Sequence, residues 1–278
     1  MKSAVRKFLF LIILLFFFSA CTLTTEKIVQ KEEAKLTKLE EAQARLNEGN
    51  LYYKDGKYEL ALKSFNKAIE MYPALAEAFY SRGSLYAMKG DSGLALSDYN
   101  RAIKINPKYA EAYYNRAVLY LQLNDYDSAL YDFSKTIEIN PNDAEAYYSR
   151  GFIYMKKGSY NSAISDLKKA VEINPKLPAA YFNLALIYEK KGNFDLAIAN
   201  YSRTIELDSG NAKAYLNRGN LYFKKGKYRL AISDYTKAIK IKPYYEQAYY
   251  NRGTAYQKIG EFDLSIKDFD KVMELKEK

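Results

Sequence analysis

Apolar and polar positions recur along this chain in blocks of 34 residues, and inside each block they follow helical spacing. The segment AFYSRG begins at 78, AYYNRA at 112, AYYSRG at 146, AYFNLA at 180, AYLNRG at 214 and AYYNRG at 248. Counted from Ala42, the blocks are 42–75, 76–109, 110–143, 144–177, 178–211, 212–245 and 246–278. Position 8 is small in every block (Gly49, Gly83, Ala117, Gly151, Ala185, Gly219, Gly253), and position 11 is always tyrosine. Position 20 is alanine until Ser265, position 24 is a large residue, and position 32 is proline in the first six blocks except at Ser209. The pattern predicts two helices per block. A small residue at position 8 lets them approach closely, glycine at position 15 ends the first, and proline at position 32 ends the second. One such hairpin cannot bury its apolar face alone, so stacking must supply the core. Ser265 and Val272 break the small-residue rule at positions 20 and 27 of the last block, as a repeat with nothing stacked after it can.

These residues resemble the tetratricopeptide repeat over 42–278, with one departure: Tyr or Phe stands at position 4 from the second block on, where many members carry Trp. The resemblance implies an all-α fold, a right-handed superhelical solenoid of seven helical hairpins.

Helical geometry sorts the recurring motif by face. At about 100° per residue, positions 4, 8 and 11 share one face, and positions 2, 5, 6, 9, 12 and 13 share the opposite one. The first face packs the core. The second carries Tyr80, Tyr114, Tyr148, Phe182 and Tyr250 at position 5, and Asn47, Ser81, Asn115, Ser149, Asn183, Asn217 and Asn251 at position 6. In the family resembled, that face lines the concave groove where partners bind. An amide offers two donors and an acceptor, enough to satisfy an extended peptide's backbone. The polar row is similar to the asparagine ladder of the O-linked N-acetylglucosamine transferases, and these twelve residues are the expected peptide-binding groove. The alternative is that position 6 is polar only for solubility. The carboxylate clamp known in the family is missing, because Leu46 and Glu111 stand where it needs basic groups.

Two charge patterns accompany the repeat. Arginine at position 7 (Arg82, Arg116, Arg150, Arg218, Arg252) occurs in the same five blocks as aspartate at position 23 (Asp98, Asp132, Asp166, Asp234, Asp268). The coincidence predicts an ion pair joining the helices of each hairpin. Lysine pairs 156–157, 190–191 and 224–225 close three first helices, read either as cations at a helix C-terminus or as a basic rim.

Upstream of the blocks, Lys2, Arg6 and Lys7 precede an apolar run from Phe8 to Phe18 and then Ser19-Ala20-Cys21. That run, at about 1.5 Å per residue, is too short for a hydrocarbon core of about 30 Å, and the pattern is that of a secretory signal peptide over 1–20. The only cysteine sits at the boundary and resembles a bacterial lipoprotein lipobox, although Phe18 replaces the usual Leu. Cys21 is therefore the expected lipidation site, and 21–41 a lipidated tether, partly helical toward Leu36 and Leu39. Loss of 1–20 removes three basic groups and no acidic one, taking the net charge from +10 to +7. Outside the cytosol this favours anionic lipid or an acidic protein surface over nucleic acid as partner. Thr22 resembles an outer-membrane sorting signal, so the outer membrane or cell surface is favoured over the inner membrane.

The absence of histidine removes imidazole bases and His-ligated metals; one cysteine removes thiolate sites. No glycine-rich loop cradles phosphate. The sequence thus points away from catalysis, cofactors and metals and toward a lipid-anchored scaffold that binds an extended peptide or partner protein in the assembly of an envelope complex. A glycan or other non-protein ligand in the same groove is the alternative.

Overall fold

Each block carries two apolar stripes separated by a residue suited to a left-handed backbone, and the computed structural model folds each block as two helices. The structure describes residues 2–276, with side chains from residue 27 on. Among the described residues there are fourteen helices and no strand. They are α1 (Lys2–Lys54), α2 (Tyr58–Met71), α3 (Ala76–Lys89), α4 (Ser92–Ile105), α5 (Ala110–Gln122), α6 (Tyr126–Ile139) and α7 (Ala144–Lys156), then α8 (Tyr160–Ile173), α9 (Pro178–Lys190), α10 (Phe194–Leu207), α11 (Ala212–Lys224), α12 (Tyr228–Ile241), α13 (Glu246–Lys258) and α14 (Phe262–Lys276).

The punctuation is physical. First helices stop at a residue with positive φ, such as Gly226 at 70°, and in the third repeat Asn124 takes that place at 61°. Asparagine is the side chain that tolerates the left-handed region best after glycine. Second helices stop in extended backbone, as at Asn106 (φ −122°, ψ 92°), because the following proline disfavours helix in the residue before it. Position 8 sets the approach of the two helices: a Cβ on Gly219 would lie 2.7 Å from the Tyr235 ring.

Contacts divide the helices into two compact units, the first ending at Leu123 and the second beginning at Asn124. In the first, each of α1 to α4 packs on the next, and the first helices α1, α3 and α5 also touch in series. In the second, each of α6 to α13 packs on the next, α7 touches α9, and α11 touches α13. The first unit is cored by Leu46, Phe65, Leu75 and Leu85. The second is cored by Leu167, Leu184, Ile187, Tyr201 and Leu221, with Tyr235 further along.

Helix α1 enters the first repeat without a break. Residues 21–41 are helical throughout rather than only toward Leu36 and Leu39; the stretch 22–41 has neither Gly nor Pro, and Lys35 pairs with Glu32 at 3.7 Å. Side chains from 27 to 38 are exposed, and burial starts at Leu39 and Ala42. The signal peptide over 1–20 and the lipidation of Cys21 fall on side chains outside the described residues. Among the described residues no helix is long and apolar enough to cross a membrane. In the last repeat Ser265 and Val272 stay buried, so positions 20 and 27 remain packing positions there; the Ser265 hydroxyl has no hydrogen-bond partner.

Candidate binding face

The core-side residues of the recurring motif are held by a polar clip. Arg82 donates from Nε and Nη2 to both carboxylate oxygens of Asp98, at 2.8 and 2.7 Å. Arg150 does the same to Asp166, Arg218 to Asp234 and Arg252 to Asp268. Each pair joins the two helices of one hairpin. The bonds Arg82 donates to Asp98 raise its pKa above the ordinary value. Of the fifth predicted pair, Arg116 belongs to the first unit and Asp132 to the second. The remaining guanidinium nitrogen does something the sequence reading missed: it reaches position 25 of the preceding repeat. Arg82 donates to Asn66 at 2.6 Å, Arg150 to Ser134, Arg218 to Ser202, Arg252 to Thr236, and Arg116 to Asn100. One guanidinium therefore fixes a hairpin and its joint with its neighbour. A sequence signal existed: where Leu184 replaces arginine, position 25 of the preceding repeat is Lys168 and not a small acceptor. In the first repeat Glu48 occupies position 7 and accepts from Ser64 at position 23, 3.2 Å away.

The opposite face carries the expected groove residues, and each unit presents its own row. In the first unit Asn47 is exposed, and Ser81, Asn115, Tyr80 and Tyr114 are half-buried. The Asn115 amide donates to the Tyr80 hydroxyl at 2.9 Å, and the Tyr80 ring lies 5.0 Å from that of Tyr109. In the second unit Ser149 and Asn183 are buried, while Tyr148, Phe182, Asn217 and Asn251 are half-buried. Burial raises the Tyr148 phenol above its ordinary pKa, and the Asn183 amide set against it acts in the opposite sense. Phe182 offers no hydroxyl, so Asn217 donates instead to Tyr201 at 3.1 Å. Leu216 likewise offers none, and Asn251 donates to Asn220 at 2.7 Å. The amides thus latch α5, α11 and α13 to the preceding repeat. One N–H of each bonded amide is used in this way, which fixes the group and leaves a second N–H for the solvent side.

Tyr250 differs from its counterparts. Its ring stacks at a tilt on Phe269, 5.7 Å away, yet 53% of the residue stays exposed. It borders a cavity of about 250 Å³ with Phe223, Tyr235, Asn220, Asn251, Thr254, Glu189 and Lys224. Its polar walls are mutually satisfied: the Tyr235 hydroxyl and the Asn251 amide both donate to Asn220 Oδ1, and the Asn251 oxygen accepts from Gln247. Glu189 accepts from the Tyr201 hydroxyl at 3.0 Å and lies 3.8 Å from Lys224. What remains for a ligand is chiefly ring surface, with the second N–H of Asn251 beside it.

The lysine pairs divide between two tasks. Those at position 14 bridge to position 18 of the preceding repeat: Lys157 to Asp127 at 2.6 Å, Lys191 to Asn161 at 2.7 Å, and Lys225 to Asp195. Those at position 13 lie over rings, Lys156 above Phe152, Lys190 above Tyr160 and Lys224 above Phe194, with exposed residues throughout. Among the described residues no cluster of three or more potential metal ligands occurs.

The comparisons agree with the geometry. Models described as TPR repeat match residues 49–90, 89–124, 151–192, 190–226 and 219–260. Models described as tetratricopeptide repeat match 110–143, 246–278 and 133–165. No curated protein matches. Among solved structures, the MamA protein is 32% identical, covering 60% of this chain and 92% of that one, with a TM-score of 0.57. YrrB, described as a TPR protein with an unusual peptide-binding site, is 27% identical over 66% of this chain and 95% of its own, with a TM-score of 0.60. PilF of Pseudomonas aeruginosa shares the fold at 18% identity, covering 76% of this chain and 96% of its own, with a TM-score of 0.66.

Proposed function

Because this chain belongs to the tetratricopeptide repeat family, we propose that it is a lipid-anchored scaffold which binds an extended peptide or partner protein along the faces of its first helices. The observation that carries the reading is the cavity beside Tyr250. There a ring surface stands open next to a row of amides already oriented by bonds to their neighbours. The likeness to YrrB, described by its peptide-binding site, supports the same use of the fold. Anchoring at Cys21 and assembly of an envelope complex belong to the proposal through the N-terminal sequence pattern.

A photo-crosslinking residue placed at Asn217 or Tyr250 in cells is expected to trap one discrete partner, while the exposed Lys237 on α12 traps none. Equal trapping at both faces removes the inner face from the proposal. Palmitate labelling tests the anchor: Cys21→Ser is expected to lose the label and leave the membrane fraction, and a labelled variant contradicts it.

A further inference from the structure

We infer that the first-helix face of the second unit recognises an extended acidic segment that places one aromatic or large apolar side chain in the cavity beside Tyr250. This rests on the partner-binding reading above and specifies the partner's chemistry.

The face is charged asymmetrically. On α7, α9, α11 and α13, positions 2, 5, 6, 9, 12 and 13 hold five lysines (Lys156, Lys190, Lys213, Lys224, Lys258) against two glutamates, Glu145 and Glu189. Glu189 is engaged by Tyr201 and Lys224. Four of the lysines form a series at position 13, one per repeat. Their position-14 neighbours Lys157 and Lys225 are neutralised by Asp127 and Asp195, whereas among the described residues Lys156, Lys190 and Lys258 pair with no carboxylate. Aromatic rings under Lys156, Lys190 and Lys224 hold the ammonium groups at the edge of the face.

The lysines stand on first helices, of which α7 touches α9 and α11 touches α13; directly packed helices lie roughly 8–10 Å apart, and an extended chain advances about 3.3 Å per residue. Acidic side chains about three residues apart therefore match the lysine series. The amides at Asn217 and Asn251 lie beside the path, and the cavity wall of Phe223, Tyr235 and Tyr250 takes an apolar side chain, since the polar groups around it are already bonded. A bilayer or a nucleic-acid duplex offers phosphates to the lysine tips but no side chain for the cavity, so a peptide fits the whole face better.

The test uses the full-length chain in mild detergent and a labelled twelve-residue peptide with glutamate at every third position and one phenylalanine. Fluorescence anisotropy is expected to show binding that weakens as salt rises. A version of the peptide with glutamine for glutamate, and the fourfold variant Lys156→Gln, Lys190→Gln, Lys224→Gln, Lys258→Gln, should each lose at least tenfold in affinity. Tyr250→Ala should weaken the phenylalanine peptide but not one with alanine in its place. The control is Lys157→Gln with Lys225→Gln, which is expected to lower the melting temperature and leave affinity unchanged. Equal binding of the glutamine peptide overturns the inference, as does an affinity indifferent to the four position-13 lysines. So does lysine-dependent binding to anionic vesicles or duplex DNA without peptide binding. If inner-face crosslinks to a partner persist while the acidic peptide fails to bind, only the acidic specificity falls and the scaffold reading stands.

Discussion

The two units are built from the same repeat, yet their first-helix faces differ. In the first unit position 2 carries Glu77 and Glu111, position 13 carries Met88 and Gln122 after Lys54, and the Tyr80 ring is closed in by Tyr109 and the Asn115 amide. In the second unit lysine fills position 13 in every repeat, and Tyr250 keeps an open ring beside a cavity. The hairpin frame tolerates this contrast because positions 2 and 13 lie outside the cores, and the position-5 rings, as Tyr80 on Tyr99 and Phe182 on Tyr201, lean on position 24 from the groove side. The packing positions are held constant while the opposite face varies in charge and closure. A repeat protein can in this way carry two different surfaces on one scaffold.

The largest expected effect tests whether the frame is as uniform as the comparison assumes. Arg218→Leu leaves the buried Asp234 carboxylate without its bidentate partner and removes the bond to Ser202. It is expected to destabilise the second unit by about 3 kcal/mol in denaturant unfolding. Adding Asp234→Leu should recover part of that loss; if the double variant is no better than the single, the clip is not the cause. Arg82→Leu in the first unit should behave alike, since Asp98 and Asn66 play the same parts.

Gly219→Ala comes next, at about 1–3 kcal/mol, because the added methyl meets the Tyr235 ring. The same change at Gly226, whose surroundings are open, should act only through its positive φ and cost about 1 kcal/mol. Thermal melts of the two variants separate close approach from backbone conformation. Ser265→Ala works in the other direction. It removes a buried hydroxyl that lacks a partner and restores the alanine found at position 20 elsewhere, for a gain of about 1 kcal/mol.

The pH response is the most diffuse effect. Burial raises the phenol pKa of Tyr99 in the first unit and of Tyr201 and Tyr235 in the second above the ordinary value near 10. A group whose folded pKa is raised contributes stability that is intact below its unfolded pKa and is lost as pH rises toward the folded one. Stability is therefore expected to hold up to about pH 10 and to fall beyond it in both units. Circular dichroism combined with ultraviolet titration should show buried phenols ionising together with unfolding; ionisation completed before any loss of helix would contradict their burial.

Much of the frame was legible in the sequence. The 34-residue period, the small residue at position 8, and the matched arginine and aspartate sets led to hairpins and to the four clips that each lie within one unit. The joints between repeats were not read. The contact from arginine to position 25 spans a repeat boundary, and only the exchange to Leu184 with Lys168 recorded it. The asparagines are read from the sequence as peptide contacts, and a single repeat does not show that Asn115, Asn217 and Asn251 each also spend one N–H on a neighbouring repeat. Their partners change with the residue at position 5, and helix-face arithmetic on one repeat cannot show that. The lysine pairs resisted a single reading because adjacent positions point in different directions, one across the joint and one along the edge of the face. Asn124 in the left-handed slot was missed because the rule was framed on glycine.

The contrast between the units is tested most directly by hydrogen–deuterium exchange of the full-length chain with and without the acidic phenylalanine peptide. Slowed exchange is predicted in α7, α9, α11 and α13, with α3 and α5 unchanged. Protection confined to α3 and α5, or spread evenly over both units, would contradict the account.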